Sequence, residues 1–185
     1  MDRDLVMAAQ RGDREAFAIL ARSHGDRMYA IAQRILRDSG LAEDALQGAL
    51  VTAWRELPAL RDVDRFAAWI NRLLVHECYA ESRKRTRISA SIRVLPAEGP
   101  AAPDDIHSIV DRDELERGFR RLPEDQRALL VLRHYVGLEP AEIAETMGIP
   151  AGTVRSRLHY AHRAMRAALE ADERASAAAS GGSAR

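Results

Sequence analysis

Guanidinium and imidazole groups crowd one short stretch of this chain: residues 151–169 carry Arg155, Arg157, His159, His162, Arg163 and Arg166, and no acid. Such side chains hold phosphate, and an arginine projecting from a helix also binds a guanine edge through two hydrogen bonds. A second positive run, RKRTRISASIR at residues 83–93, sets Arg83, Lys84, Arg85 and Arg87 in quick succession. Between the two runs, residues 98–116 are strongly acidic. The net charge of zero, from 28 basic and 28 acidic residues, is therefore a sum over segments of opposite sign and does not exclude a nucleic-acid partner. Lys84 is the only lysine. The bias to arginine and alanine is what a high-GC coding sequence gives, and it carries no functional weight by itself.

Bond-making chemistry has no foothold. None of the patterns GxxxxGK[ST], GxSxG, HExxH or GxGxxG occurs, so no enzyme is expected. His76 and Cys78, two apart on a helix, project in different directions, and His159 with His162 has only a three-residue spacing without further ligands nearby. Neither predicts a metal, and no cofactor is expected. Cys78, the single cysteine, cannot form an internal disulfide and is expected to be buried as a small hydrophobe rather than to act as a redox thiol. The 185 residues are 46% hydrophobic and 30% charged, the balance of a globular chain of one or two small domains. No apolar run approaches the roughly 20 residues of a membrane span. The opening MDRDLVMAAQRGDREAF has neither a basic leader nor an apolar export core, so the expected location is the cytoplasm.

The elements that must position these groups are helices. Apolar residues recur at spacings of three and four from the start to about Leu169, and few runs alternate with period two, which predicts an all-α fold. Asp13 is placed to cap a helix carrying Phe17, Leu20 and Ala21; Asp26 to begin another with Met28, Ile31, Ile35 and Leu36; Gly40 precedes a third with Ala45, Leu46, Ala49, Ala53 and Trp54, ended by Pro58. A polar loop over 60–64 leads into a long helix over about 65–87, with Phe66, Trp69, Ile70, Leu73 and Leu74 on its apolar side. Trp54, Phe66 and Trp69 have the spacing of core aromatics. Pro96, Gly99, Pro100 and Pro103 then break the pattern. The expected organisation is two small helical domains, 1–88 and 112–170, joined by a flexible linker over 89–111 and followed by a disordered tail over 171–185.

In the second domain Leu115 and Phe119 precede Pro123, which starts a helix through Leu129, Leu130 and Leu132. The stretch GLEPAEIAETMGIPAGTVRSRLHYAHRAM follows, predicting two short helices: one over 140–147, a turn at Gly148, and a restart near Ala151. That is helix-turn-helix spacing. Val154, Leu158, Ala161, Met165 and Ala168 make an inward stripe, which leaves Arg155, Ser156, His159, Tyr160 and Arg163 outward or flanking. An arginine-rich helix face alone is ordinary solvated surface; the preceding turn and the absence of acids favour DNA contact.

With RRLPEDQRALLVLRHYVGL before it, this block resembles domain 4 of bacterial sigma-70-family sigma factors, and GTVRSRL closely matches the recognition-helix motif of the extracytoplasmic-function (ECF) group. The resemblance implies that this helix reads the minus-thirty-five promoter element, with base or edge contacts from Arg155, Ser156 and His159, Tyr160 alongside, and Thr153 and Arg157 where the backbone is held. Tyr160 stands where the group often has arginine, and His159 at a variable position.

The first block resembles domain 2 of the same group in LAEDALQGALVTAWREL followed by RFAAWINRLL. Asp44 and Gln47 match its DxxQ signature, which implies docking on the clamp helices of the largest subunit of core RNA polymerase; without the resemblance they are solvated surface. By the same resemblance the loop Leu60, Arg61, Asp62, Val63 and Asp64 catches a flipped minus-ten base, and Arg72, His76, Tyr79, Arg83, Lys84, Arg85 and Arg87 line the adjacent DNA. His76 and Tyr79 depart from the asparagine and aspartate that members often show there.

The implied protein is an alternative sigma factor, a monomer when free, whose partners are core RNA polymerase through its clamp helices and flap region, promoter DNA, and a cognate anti-sigma factor that can hold it at the membrane. The resemblance also implies a linker that runs through the polymerase, where Asp104, Asp105 and Asp111 would mimic nucleic acid in a basic channel. Two alternatives stay open from residues alone: a stand-alone helix-turn-helix regulator, and a sigma-like polymerase adaptor without melting activity.

Overall fold

The computed structural model describes residues 2–91 and 111–181, and among them every regular element is helical. Contacts divide the chain into two units, Met1–Gly99 with Glu145–Gly148, and Pro100–Ala144 with Ile149–Arg185. Most of the linker expected over 89–111 lies outside the described residues, as do Asp104 and Asp105; Asp111 opens a helix.

The first unit is built on α1 (Asp2–Gln10), α2 (Arg14–Leu36), α3 (Ser39–Glu56) and α4 (Phe66–Ser91). Asp13 caps α2, its carboxylate accepting from the amides of Glu15 and Ala16 at 2.9 and 3.1 Å. The two helices expected on either side of Asp26 are one helix of 23 residues. Gly25 costs a helix interior only about 1 kcal/mol relative to alanine, and the apolar stripe through Leu20, Met28, Ile31 and Ile35 runs on without a phase break. Arg37 ends α2 in the left-handed region at φ 57°, and Asp38 caps α3, accepting from the Leu41 amide at 3.0 Å, so Gly40, expected to precede that helix, lies in its first turn.

Along α3, Ala42, Ala45, Ala49 and Ala53 are all fully buried. Methyl groups on one stripe let α2 and α4 approach the α3 backbone closely, so their long side chains, Ile31 and Ile35 from one and Ile70, Leu74 and Val75 from the other, fill the core. Cys78 is buried in the same layer, as expected. Phe66 is buried, whereas Trp54 and Trp69 are only half-buried, each packed against a phenylalanine: Phe17 to Trp54 at 5.1 Å and Phe66 to Trp69 at 5.8 Å between ring centroids.

The second block of helices runs α5 (Asp111–Arg121), α6 (Glu124–Leu130), a π turn (Val131–Val136), α7 (Pro140–Met147) and α8 (Ala151–Gly181), all grouped in the second unit except the last three residues of α7. Leu122, Leu130, Ala161 and Met165 form a buried cluster flanked by Phe119, Ala164 and Leu169. Gly118 lets α5 lie against α8, since a Cβ there would stand 2.9 Å from the Met165 Cε. Gly137 and Gly148, at φ 87° and 66°, supply the left-handed turns before and after α7. The restarting helix is not short, and the expected disordered tail is helical through Gly181. Alanine-rich sequence has the highest helix propensity, and extending an already nucleated helix needs no packing.

The alanine stripe gives the first testable expectation. Ala49→Leu forces three more side-chain carbons into a filled layer and destabilises the first unit by about 1–3 kcal/mol. Both tryptophans lie in that unit, so urea denaturation followed by tryptophan fluorescence should show the midpoint fall.

Candidate nucleic-acid interface

The α7–turn–α8 arrangement follows from local sequence. Pro140 sits at the first position of α7, where its missing amide donor costs nothing, and the Glu139 amide is satisfied by the Glu142 carboxylate at 2.8 Å. Gly148 turns the chain, and α8 restarts with the Val154 amide donating to the Pro150 carbonyl at 3.1 Å. The inward stripe is as the spacing predicts: Val154, Leu158, Ala161, Met165 and Ala168 are all buried. At 3.6 residues per turn the opposite face is then fixed, and it carries Arg155, Ser156, His159 and Arg163, all exposed, with Tyr160 61% exposed beside them. Arg157 is exposed and Thr153 half-buried, at one margin of that face. The Ser156 hydroxyl donates to the Thr153 carbonyl at 3.0 Å, and the His159 and Tyr160 rings meet edge to face at 5.9 Å.

In the first unit, the loop after α3 is held from a distance. The Gln10 amide on α1 donates to the carbonyls of Leu57 at 3.1 Å and Leu60 at 2.7 Å. The Asp62 carboxylate accepts from the Asp64 amide at 3.0 Å and opens a 3-10 turn over Val63–Arg65, so Val63 and Asp64, expected in the loop, are already turned into α4. Arg3 pairs with Asp64. Arg61, Asp62 and Asp64 are exposed, and Leu60 and Val63 half-buried. Sequence reasoning missed Gln10, because a glutamine 47 and 50 positions from its partners leaves no local signal.

Along α4 the expected minus-ten residues separate into two sets. Arg72, His76, Tyr79 and Arg83 recur at intervals of four, three and four, which puts them on one line of the helix; Arg72, His76 and Arg83 are exposed and Tyr79 half-buried. Arg87 continues that line and is exposed. Lys84 and Arg85 are off it. Lys84 donates to Glu81 at 2.6 Å, and Arg85 lies 3.6 Å from Asp38 at the head of α3. The hydrogen bond it donates to Glu81, then the charge of that carboxylate, hold the Lys84 ammonium above the ordinary lysine range; Glu77 and Asp44 add to this more weakly. The clustered charge that the sequence shows is thus divided by the helix: Lys84 faces an acid one turn back, and Arg85 an acid at the head of α3.

On α3, Asp44 and Gln47 are exposed, and Val51, one further turn along the same face, is 59% exposed. Beneath them Gly48 leaves room for Glu77 of α4, whose carboxylate would be 3.0 Å from a Cβ and which accepts from the Thr52 hydroxyl at 3.3 Å. Among the described residues no group of three or more His, Cys, Asp or Glu is arranged to hold a metal ion, and no helix is long and apolar enough to cross a membrane.

Two helical units, one ending in a helix-turn-helix with a cationic outer face, define a class of sequence-reading proteins. Comparison with known proteins narrows it. Residues 20–88 match Sigma-70 region 2, and residues 112–166 match Sigma-70, region 4. The RNA polymerase sigma-H factor of Pseudomonas aeruginosa is 33% identical over 181 residues, covering 91% of this chain and 94% of that one. The ECF RNA polymerase sigma factor SigM of Mycobacterium tuberculosis is 31% identical over 164 residues, 84% of this chain and 78% of its own. Among solved structures, the sigma factor RpoE in complex with the anti-sigma factor NepR from Bartonella quintana matches with a TM-score of 0.66 at 24% identity, over 84% of this chain and 98% of that one. The chain belongs to the ECF group of the sigma-70 family. It is an alternative sigma factor of transcription initiation, and its relatives are not enzymes.

The Gln10 clamp is directly testable. Gln10→Ala removes two hydrogen bonds of about 1 kcal/mol each and should raise hydrogen exchange at the amides of Leu60 and Arg65 by about tenfold or more. Unchanged exchange there would mean that the 3-10 turns hold the loop unaided.

Proposed function

We propose that this sigma factor binds core RNA polymerase through the Asp44, Gln47 and Val51 face of α3, reads the minus-thirty-five element with the start of α8, and opens the minus-ten element with the 60–64 loop and one face of α4. The observation that carries this is the two-sidedness of α8: five residues buried at helical spacing, and an opposite face of arginine, serine, histidine and tyrosine left exposed behind a helix-turn-helix. Arg155 and Ser156 supply hydrogen bonds to base edges, with His159 and Tyr160 alongside, while Thr153 and Arg157 hold the backbone. Along α4, Arg72, Arg83 and Arg87 track phosphates with the exposed His76 between them, while Tyr79 on the same line is half-buried with its hydroxyl turned inward. An anti-sigma factor is a natural regulator, since the RpoE relative is solved in complex with one. The chain acts in the cytoplasm in this proposal, where polymerase is.

The test is transcription in vitro with purified chain and sigma-free core polymerase on a genomic-fragment library, with the transcript starts sequenced. Starts sharing two spaced upstream elements support the proposal. Core binding without starts would favour a polymerase adaptor, and DNA retention by the chain alone without core binding would favour a stand-alone regulator.

Two substitutions sharpen it. Arg155→Ala should cost about 1–3 kcal/mol of promoter affinity and relax the preference at one base pair of the upstream element, read by promoter-variant competition. Arg72→Ala and Arg83→Ala should each lower the salt dependence of open-complex formation by about 0.7 in the log–log slope, the value for single strands, whereas Lys84→Ala leaves it unchanged because Glu81 already engages that ammonium.

A further inference from the structure

His134 and His162 meet across the second unit. His134 belongs to the π turn and His162 to α8, and their Nε2 atoms lie 2.8 Å apart with the rings at 78° to one another. Two ring nitrogens at this distance share one hydrogen: one donates and the other accepts. One further proton can be taken up on an outer nitrogen or by turning a ring, but a second N–H cannot face the first. Among the described residues, Arg133 on the same turn, held to Glu139 at 2.8 Å, acts on His134, and His159, Arg163 and Arg166 on α8 gather with His162. These last three, with His162 itself, line an open pocket on the outer side of α8. A pocket walled by arginine and imidazole repels a metal cation and suits an anion.

We propose that this pocket is a proton-linked phosphate site, occupied by a backbone phosphate of promoter DNA, and that the His134–His162 pair gains a proton from solvent when the phosphate binds. The inference rests on reading α8 as the minus-thirty-five helix and extends it by a turn and a half, to residues whose task is to hold the backbone. The step is a simple protonation: two neutral imidazoles sharing one hydrogen bond become a singly charged pair, and no other bond is made or broken. Burial first, then His162 and Arg133, hold the His134 imidazole below the ordinary histidine range in the free protein. A bound phosphate places negative charge beside the pair and reverses that balance. The sign follows from linkage: phosphate favours the charged pair, so affinity is lower where the pair is neutral, rises as pH falls through its titration, and phosphate raises the proton affinity by the same factor.

Two measurements test this. In the assembled holoenzyme, promoter binding is titrated with salt at about pH 8 and about pH 6, the range in which histidine changes charge. One gained charge adds one phosphate contact, so the increase in log–log salt slope between the two pH values should exceed that of the His134→Gln, His162→Gln double variant by about 0.9. Comparison with the double variant subtracts the titration of His159. Equal increments in the two proteins overturn the assignment to DNA. The second measurement needs neither polymerase nor a variant: histidine-ring NMR of the full chain is followed against pH with and without inorganic pyrophosphate. A rise in the titration midpoints of His134 and His162 with pyrophosphate is expected, and unchanged midpoints overturn the phosphate site. A rise here combined with equal salt increments identifies a free phosphate ligand in place of DNA, which also overturns the proposal as stated. Failure to bind core polymerase would instead sink the reading of the chain's function and is scored separately, by core binding.

Discussion

Close packing against α3 is the constraint on which the first unit depends. Four fully buried alanines leave that helix with no long side chain on its inner stripe, so the packing volume comes from α2 and α4. This has a functional consequence. A helix sunk between two neighbours keeps only its outer face, and Asp44, Gln47 and Val51 are what that face carries. Gly48 continues the same logic at the margin, because the space of its absent side chain is taken by Glu77, which ties α4 to Thr52. A partner that grips the outside of α3 therefore meets a surface whose backing is rigid, which limits the entropy lost on docking.

Electrostatics in this chain is decided by helix phase more than by composition. Arg83, Lys84, Arg85 and Arg87 look equivalent as a run, yet successive residues on a helix point about 100° apart. Arg83 and Arg87 join Arg72 on an exposed line, while Lys84 meets Glu81 and Arg85 approaches Asp38. Exposed pairs of this kind add little stability. Their effect is to lower the positive charge on one flank of α4 so that the other flank is the stronger attractor for phosphate. Over residues 151–169 of α8 no such division arises, since that stretch contains no acid.

Much of this was legible in the sequence where a pattern is local and periodic. The inward stripe of α8 and the turn at Gly148 follow from spacing and one glycine, and the cap at Asp13 from a carboxylate ahead of an apolar run. What escaped was either long-range or permissive. Gln10 reaches carbonyls 47 and 50 residues away, and His134 meets a histidine 28 positions on, through a π turn whose altered register no hydrophobic period announces. Gly25 and Asp26 looked like a boundary because both residue types favour helix ends, but a continuous buried stripe outweighs a penalty of about 1 kcal/mol.

The length of α8 shows how reading and holding are divided within one element. The residues proposed to meet base edges lie in its first turns, just after the turn at Gly148; the arginines at 163 and 166 lie further along the same outer face. A rigid helix fixes the distance between the two groups at 1.5 Å per residue, so a phosphate engaged by the later group sets the register at which the earlier group meets the bases. Sequence preference and backbone grip are then coupled through the helix itself. If the proposed division holds, substitutions at Arg163 or Arg166 act on affinity uniformly across promoters, and substitutions at Arg155 or Ser156 act on discrimination between them.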